Sequence, residues 1–99
     1  MYARITCIHV KPEKVQEAVA LYKKSVVPEA KNQKGFKGLL LLTDVQSGNG
    51  LSITLWTSEK AAQATEENRY YQEQLIKFMS FFSSPPSREG YQVSLQVKV

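Results

Sequence analysis

Apolar residues along this chain recur at every second position in some stretches and at every third or fourth in others. That alternation predicts six elements. Residues 2–10 (YARITCIHV) are β-branched and aromatic enough for a strand. Lys11-Pro12-Glu13 then opens a helix, with Pro12 at a position where its missing N–H costs nothing and Glu13 in the first turn. Val15, Ala18, Val19, Tyr22 and Val26 form its apolar stripe, Pro28 interrupts or kinks it, and Gly35 ends the connection. Two strands follow, near 36–46 and 51–57, joined through Ser47-Gly48-Asn49-Gly50, whose residues tolerate positive φ. Ser58 is the predicted N-cap of a second helix that begins in the alanine-rich Ala61, Ala62 and Ala64. That helix has a weak point at Glu67-Asn68-Arg69 and continues in the stripe Tyr71, Leu75, Phe78, Met79 and Phe82. Ser83-Ser84-Pro85-Pro86-Ser87 reads as a loop. The last strand is expected at Tyr91 to Val99, where Tyr91, Val93, Leu95, Val97 and Val99 alternate with polar residues.

The order β-α-β-β-α-β implies an α+β, ferredoxin-like domain spanning residues 1–99. Its four-stranded antiparallel sheet carries both helices on one face. The hairpin sharpens this. Leu39-Leu40-Leu41-Leu42 is apolar on both faces of its strand, whereas a sheet covered on one side keeps its other side polar. Leu51, Ile53 and Leu55 repeat the pattern opposite Trp56. Two helices cover one face and nothing remains for the other. The expected solution is a second copy of the chain, packed sheet to sheet about a two-fold axis.

Composition adds mostly exclusions. Ninety-nine residues, 42% of them hydrophobic, suit one globular core. No stretch approaches the roughly 18–20 apolar residues of a membrane span, and residues 1–20 lack a secretory h-region, so a cytoplasmic protein without membrane partners is expected. Cys7 is the only cysteine and His9 the only histidine, which leaves no ligand set for a protein-built zinc site. The net charge of +4 comes from dispersed lysines. Lys34 to Leu41 echoes an RNA-binding signature, but its stacking-aromatic positions hold Gly38 and Leu41, and no nucleic-acid partner is expected.

A short βαββαβ chain with Lys11-Pro12 at the first helix start, Gly35-Phe36-x-Gly38 leading into the second strand and Trp56-Thr57-Ser58-Glu59 before an alanine-rich helix resembles the antibiotic-biosynthesis monooxygenase-like domains of the dimeric α/β-barrel superfamily. The resemblance implies a homodimer with a pocket in each subunit between sheet and helices. Some members oxidise aromatic phenols to quinones with O₂ and no metal or flavin, the substrate anion supplying the electrons. It therefore implies a cofactor-independent monooxygenase acting on an aromatic or quinol-type molecule. In the polyketide-oxidising pattern the strand Trp has an Asn four residues before it, a Tyr six after and an Arg about twenty after. Trp56 matches, but those positions hold Ser52, Ala62 and Ile76, so that Arg69 or Lys77 supplies the cation only in a shifted register. The haem-degrading branch would place its Asn, Trp and His at about Ile5, Thr65 and Leu75, so no haem is expected.

The pocket candidates follow. Trp56 shares a strand face with Ser52 and Thr54 and is either a pocket wall or core packed under the second helix. Tyr70 and Tyr71 diverge by about 100° on a helix, so that one faces the pocket and the other solvent or a partner. Arg69 is the nearby cation. His9 titrates near neutrality and serves as a base if it faces the pocket. Arg4, on the opposite face of its strand from His9, pairs with a Glu or binds an anion. Tyr22 and the Phe78, Phe81 and Phe82 cluster read as core or dimer edge. No catalytic residue is assigned. A non-catalytic dimer binding a small apolar molecule in the same pocket is the alternative function.

Overall fold

The computed structural model describes residues 1–99. Strand β1 (Tyr2–Val10) leads through a 3₁₀ turn (Pro12–Lys14) into α1 (Val15–Leu21), a π turn (Tyr22–Val26) and α2 (Val27–Lys31). The hairpin β2 (Phe36–Thr43) and β3 (Asn49–Trp56) comes next, then α3 (Glu59–Glu67), α4 (Tyr70–Ile76), a 3₁₀ turn (Met79–Phe81) and β4 (Phe82–Gln92). The sheet order is β2-β3-β1-β4 and every neighbouring pair is antiparallel, the ferredoxin-like arrangement that the element order predicts. No helix is long and apolar enough to cross a membrane.

Local signals act where the sequence places them. The Ser58 side chain accepts a hydrogen bond from the Ala61 N–H at 3.1 Å and caps α3. The weak point at 67–69 becomes a break, where Arg69 adopts a left-handed conformation (φ 69°) that separates α3 from α4. Pro28 does not end the first helix. A π turn precedes it, with the Val27 N–H bonded to the Tyr22 carbonyl. The wider turn relieves the clash between a proline ring and the carbonyl four residues earlier, so the helix continues to Lys31.

The fourth strand is displaced from its expected place. Residues 82–92, including the Ser83–Ser87 segment expected to be a loop, pair with β1. Prolines are tolerated there because β4 is an edge strand and the register slips beside them: Cys7 pairs with Ser87, His9 with Ser84 and Val10 with Phe82, so β4 carries one extra residue at each of two slips. The alternating residues from Val93 on are not a strand. Tyr2, the first residue of β1, already pairs with Gln92, and beyond that pair only the Val93 N–H finds a partner, the Met1 carbonyl. The turn also moves, since β2 ends at Thr43 and β3 starts at Asn49.

Even-numbered residues of β1 (Arg4, Thr6, Ile8, Val10) and β3 (Ser52, Thr54, Trp56) face the helices, as do Leu39 and Leu41 of β2. Val10, Val15, Ala18, Tyr22, Val26 and Phe78 make the core beneath α1. The other face presents cross-strand rows: Leu40, Ile53 and Ile5 in one, Leu42, Leu51 and Cys7 in the next, Leu55, Ala3 and Tyr91 beyond. Within a single chain Leu40 and Leu42 remain 57% and 46% exposed.

Candidate functional site

Between the even face of the sheet and the helices lies a cavity of about 90 Å³. That is several times the roughly 10–15 Å³ that one water needs. Its floor is Arg4, Thr6 and Ile8 of β1 with Ser52, Thr54 and Trp56 of β3. Tyr22 and Val26 close one side from the π turn, and Tyr70, Tyr71, Gln74 and Leu75 of α4 form the roof. Two-residue strand spacing puts three small hydroxyl side chains, Thr6, Ser52 and Thr54, on a floor otherwise lined by larger groups. A single α4 turn supplies both tyrosines.

Trp56 is 2% exposed. Its indole N–H donates to Thr54 Oγ1 at 2.9 Å, and its ring packs edge-on against Phe36 with centroids 5.5 Å apart. It is at once buried core and cavity wall. The Tyr22 hydroxyl and Ser52 Oγ are hydrogen-bonded at 2.8 Å, and Tyr70 donates to the Val26 carbonyl at 3.3 Å. Burial pushes the Tyr22 phenol up against the opposing pull of its Ser52 bond. Burial pushes Tyr70 far above the usual phenol range, reinforced by Tyr22 and Glu29. Both phenols therefore keep their protons at neutral pH. Gln74, also buried, accepts from Ser25, which in turn accepts from Lys77 Nζ at 2.7 Å.

At the other end Arg4 is 93% withdrawn from solvent, being 7% exposed. Its guanidinium donates to Thr65 Oγ1 and Glu66 Oε2, each at 3.1 Å. Thr65 is held in turn by donating to the Ala62 carbonyl at 2.6 Å. Arg88 of β4 pairs with the second Glu66 oxygen. The Tyr71 ring lies against both guanidiniums, 5.6 Å from Arg4 and 4.9 Å from Arg88. Burial lowers the Arg4 pKa, Glu66 opposes that shift and Arg88 adds to it. Arginine nevertheless stays charged.

Of the candidates read from the sequence, Trp56, Ser52, Tyr70 and Tyr71 come together around this cavity. The two tyrosines do not divide between pocket and solvent. The chain restarts at Arg69, so α4 begins over the cavity and their divergence aims one at the π turn and the other at Arg4. His9 and Arg69 are corrections. His9 is odd-numbered on β1, so it lies on the outer face with its Nδ1 at 2.8 Å from Asn49 Oδ1. Arg69 is exposed at the helix break, its backbone spent on the turn. Lys77 bonds Ser25 outside the cavity, and Ile76, at the position where the family pattern has its arginine, is 63% exposed. Ala62 of α3 is completely buried, and the space opens beside Thr65 and α4.

Thr6, Tyr22, Thr65 and Gln74 are polar lining residues that the sequence does not single out as a site, and Arg4, read there as pairing with a Glu or binding an anion, pairs with Glu66 and lines the cavity beside them. The signal for Arg4 and Thr6 was their shared parity with Val10, polar positions on the strand face that the helices cover. Nothing local marked Thr65 or Gln74.

The sequence profile of the family described as antibiotic biosynthesis monooxygenase matches residues 1–74. No curated protein matches the chain by sequence. Among solved structures, a monooxygenase of Streptomyces coelicolor in complex with nanaomycin D superposes with a TM-score of 0.79 at 15% identity, covering 99% of this chain and 91% of that one. A Nitrosomonas europaea protein of unknown function gives 0.78 at 16%, covering 99% and 93%. A Mycobacterium tuberculosis protein gives 0.76 at 12%, covering 98% of each. At such identities the likeness is one of fold, and the family follows from the profile. The chain belongs to the antibiotic biosynthesis monooxygenase family.

Proposed function

We propose that this protein is a small homodimeric monooxygenase that oxidises an aromatic or quinol-type molecule in the cavity beneath α4, with the substrate itself supplying the electrons. The observation that carries the reading is an aromatic-walled cavity (Trp56, Tyr70, Tyr71, Phe78) floored by small hydroxyl side chains, in a chain of this family. An aromatic ring fits against the apolar walls, and Tyr22, Ser52, Thr54 and Tyr70 orient its oxygen substituents. For a simple phenol the overall step is one phenol and one O₂ giving one quinone and one water. The arene loses four electrons and O₂ accepts them. The protein binds and orients the ring and keeps bulk water away. The S. coelicolor monooxygenase, solved with nanaomycin D, supports the class of ligand.

The dimer belongs to the same proposal. Leu40, Leu42 and Leu51 are exposed beside half-buried Ile5, Ile53 and Leu55 on the sheet face away from the helices. A second copy placed sheet to sheet covers this apolar face.

One observation favours a second reading, a dimer that binds such molecules without turning them over. The positions of the polyketide-oxidising pattern hold Ser52, whose hydroxyl is engaged by Tyr22, buried Ala62 and outward Ile76. Oxygen uptake over a panel of phenols and hydroquinones separates the two. Uptake equimolar with quinone formation, lost in Trp56→Leu, supports the enzyme. Ligand-dependent quenching of Trp56 fluorescence with no uptake across the panel refutes it in favour of binding alone.

A further inference from the structure

We propose that a second, smaller pocket beneath α1 is a holding site for O₂, set against the back wall of the aromatic cavity. Its role rests on the oxidation reading, in which O₂ accepts the electrons. The site itself is tested without any turnover.

Size comes first. The pocket is walled by Val15, Ala18 and Val19 of α1, Val10 of β1 and Leu41 of β2. Its volume is about 20 Å³, against about 90 Å³ for the aromatic cavity. A water-sized molecule needs roughly 10–15 Å³, so a diatomic gas fits and an aromatic ring does not. Val10, Val15 and Ala18 are buried, whereas Thr43 is exposed and marks the rim. Thr43 shares the parity of Leu39 and Leu41, so the rim opens on the helix side of the sheet, away from Leu40 and Leu42.

Polarity then separates O₂ from water. The surface that the pocket presents is apolar. The polar groups around it are already engaged. The Gly48 carbonyl accepts from the Val10 N–H and the Gly48 N–H donates to the Asp44 carbonyl, each at 2.8 Å. The Tyr22 hydroxyl is turned to Ser52, on the side of the aromatic cavity. A buried water typically makes about three hydrogen bonds, and this pocket offers it none. An apolar gas gives up little on leaving water and gains van der Waals contacts inside.

Position gives the pocket its use. Ile8, Tyr22 and Phe78 line both spaces, so the partition between them is one side chain thick. The Tyr22 and Phe78 rings, with centroids 6.4 Å apart, are its aromatic part. A gas molecule moving inward from the pocket enters the aromatic cavity without crossing bulk water. Its passage requires side-chain motion and no rearrangement of the backbone.

Dissolved O₂ is paramagnetic and speeds the relaxation of methyl protons at short range. The test compares oxygen-pressurised with argon-pressurised samples by NMR. The methyls of Val15 and Ala18 are expected to gain severalfold more relaxation than those of Ala30 and Ala62, which are equally buried but line neither space. Ala18→Leu fills the pocket. It is expected to bring the Val15 gain down to the level of Ala30 and to lower kcat/KM for O₂ severalfold, with KM for the phenol unchanged. Should Ala18→Leu not fold, the relaxation of the wild type decides alone. Equal gains at all four residues in the wild type, or an unchanged O₂ dependence in folded Ala18→Leu, overturns the proposal and leaves the oxidation reading standing. Enhanced relaxation at Val15 and Ala18 with no oxygen uptake from any phenol supports the gas site and overturns the oxidation reading alone.

Discussion

Leu40→Asp places a carboxylate in the middle of the outer sheet face, in the row formed by Leu40, Ile53 and Ile5. Leu40 is 57% exposed in the isolated chain, so more than half of its side chain is still available for burial. Complete burial of a leucine is worth about 1.5–3 kcal/mol, and the remaining share of that is about 1–2 kcal/mol per protomer. A two-fold axis applies every substitution twice, making the loss about 2–3 kcal/mol per dimer. An unpaired carboxylate at such an interface adds a desolvation penalty of at least about 1–3 kcal/mol. Together these weaken the dimer by about three orders of magnitude in dissociation constant. The monomer fold is affected much less, because its cross-strand contact to Ile53 is worth only about 0.2–1 kcal/mol. Sedimentation velocity over a concentration series reads the association, and circular dichroism reads the fold. The wild type is expected to sediment as a dimer, Leu40→Asp as a folded monomer, and Lys60→Glu on the exposed surface of α3 as the wild type does. A wild type that remains monomeric throughout, or a Leu40→Asp variant that dimerises equally well, refutes the reasoning.

Gly35 has φ +85°, and a Cβ there would sit 2.7 Å from Ala61 Cβ and 2.8 Å from Thr57 Oγ1. Gly35→Ala is therefore expected to destabilise by about 2–4 kcal/mol from backbone strain and overpacking, read as a lower urea midpoint; an unchanged midpoint contradicts it. Arg69→Gly should do the reverse. It relieves a left-handed φ of 69° at an exposed residue, for a net gain of about 0.5–1 kcal/mol after the glycine's extra chain entropy, and a fall in thermal midpoint would count against it. Alkaline stability follows from Tyr22 and Tyr70, whose phenols are raised above 10.0 in the native state, chiefly by burial. Below the unfolded value both are protonated in both states and their contribution is fully present. As pH rises past it the unfolded chain ionises first and stability falls. Urea midpoints between pH 8 and 11 should show the fall, and Tyr70→Phe should flatten it.

The local signals of this sequence were enough for element order, because each depends on a few neighbouring residues. Pro12 begins a helical stretch, Ser58 caps α3, and Glu67-Asn68-Arg69 breaks it where the spacing predicts. The parity of apolar residues in β2 and β3 also assigned Leu39 and Leu41 to the opposite face from Leu40 and Leu42. Where the final strand lies was not local. Residues 91–99 alternate more cleanly than 82–92, yet antiparallel pairing with β1 runs out at Tyr2, and a strand without a neighbour has no ladder to join.

The same distinction separates the parts of the cavity. Trp56 and Ser52 were legible as one strand face because their relation is fixed by a period of two. Tyr70 and Tyr71 were legible only as a pair, since the direction in which a helix presents two adjacent side chains depends on where it starts, and that start is set by the left-handed Arg69. The gathering of Arg4, Thr65, Glu66, Tyr71 and Arg88 belongs to tertiary structure alone. It draws on β1, α3, α4 and β4. No short-range rule relates residues so far apart in sequence; the sheet register and the docking of the helices bring them within bonding distance.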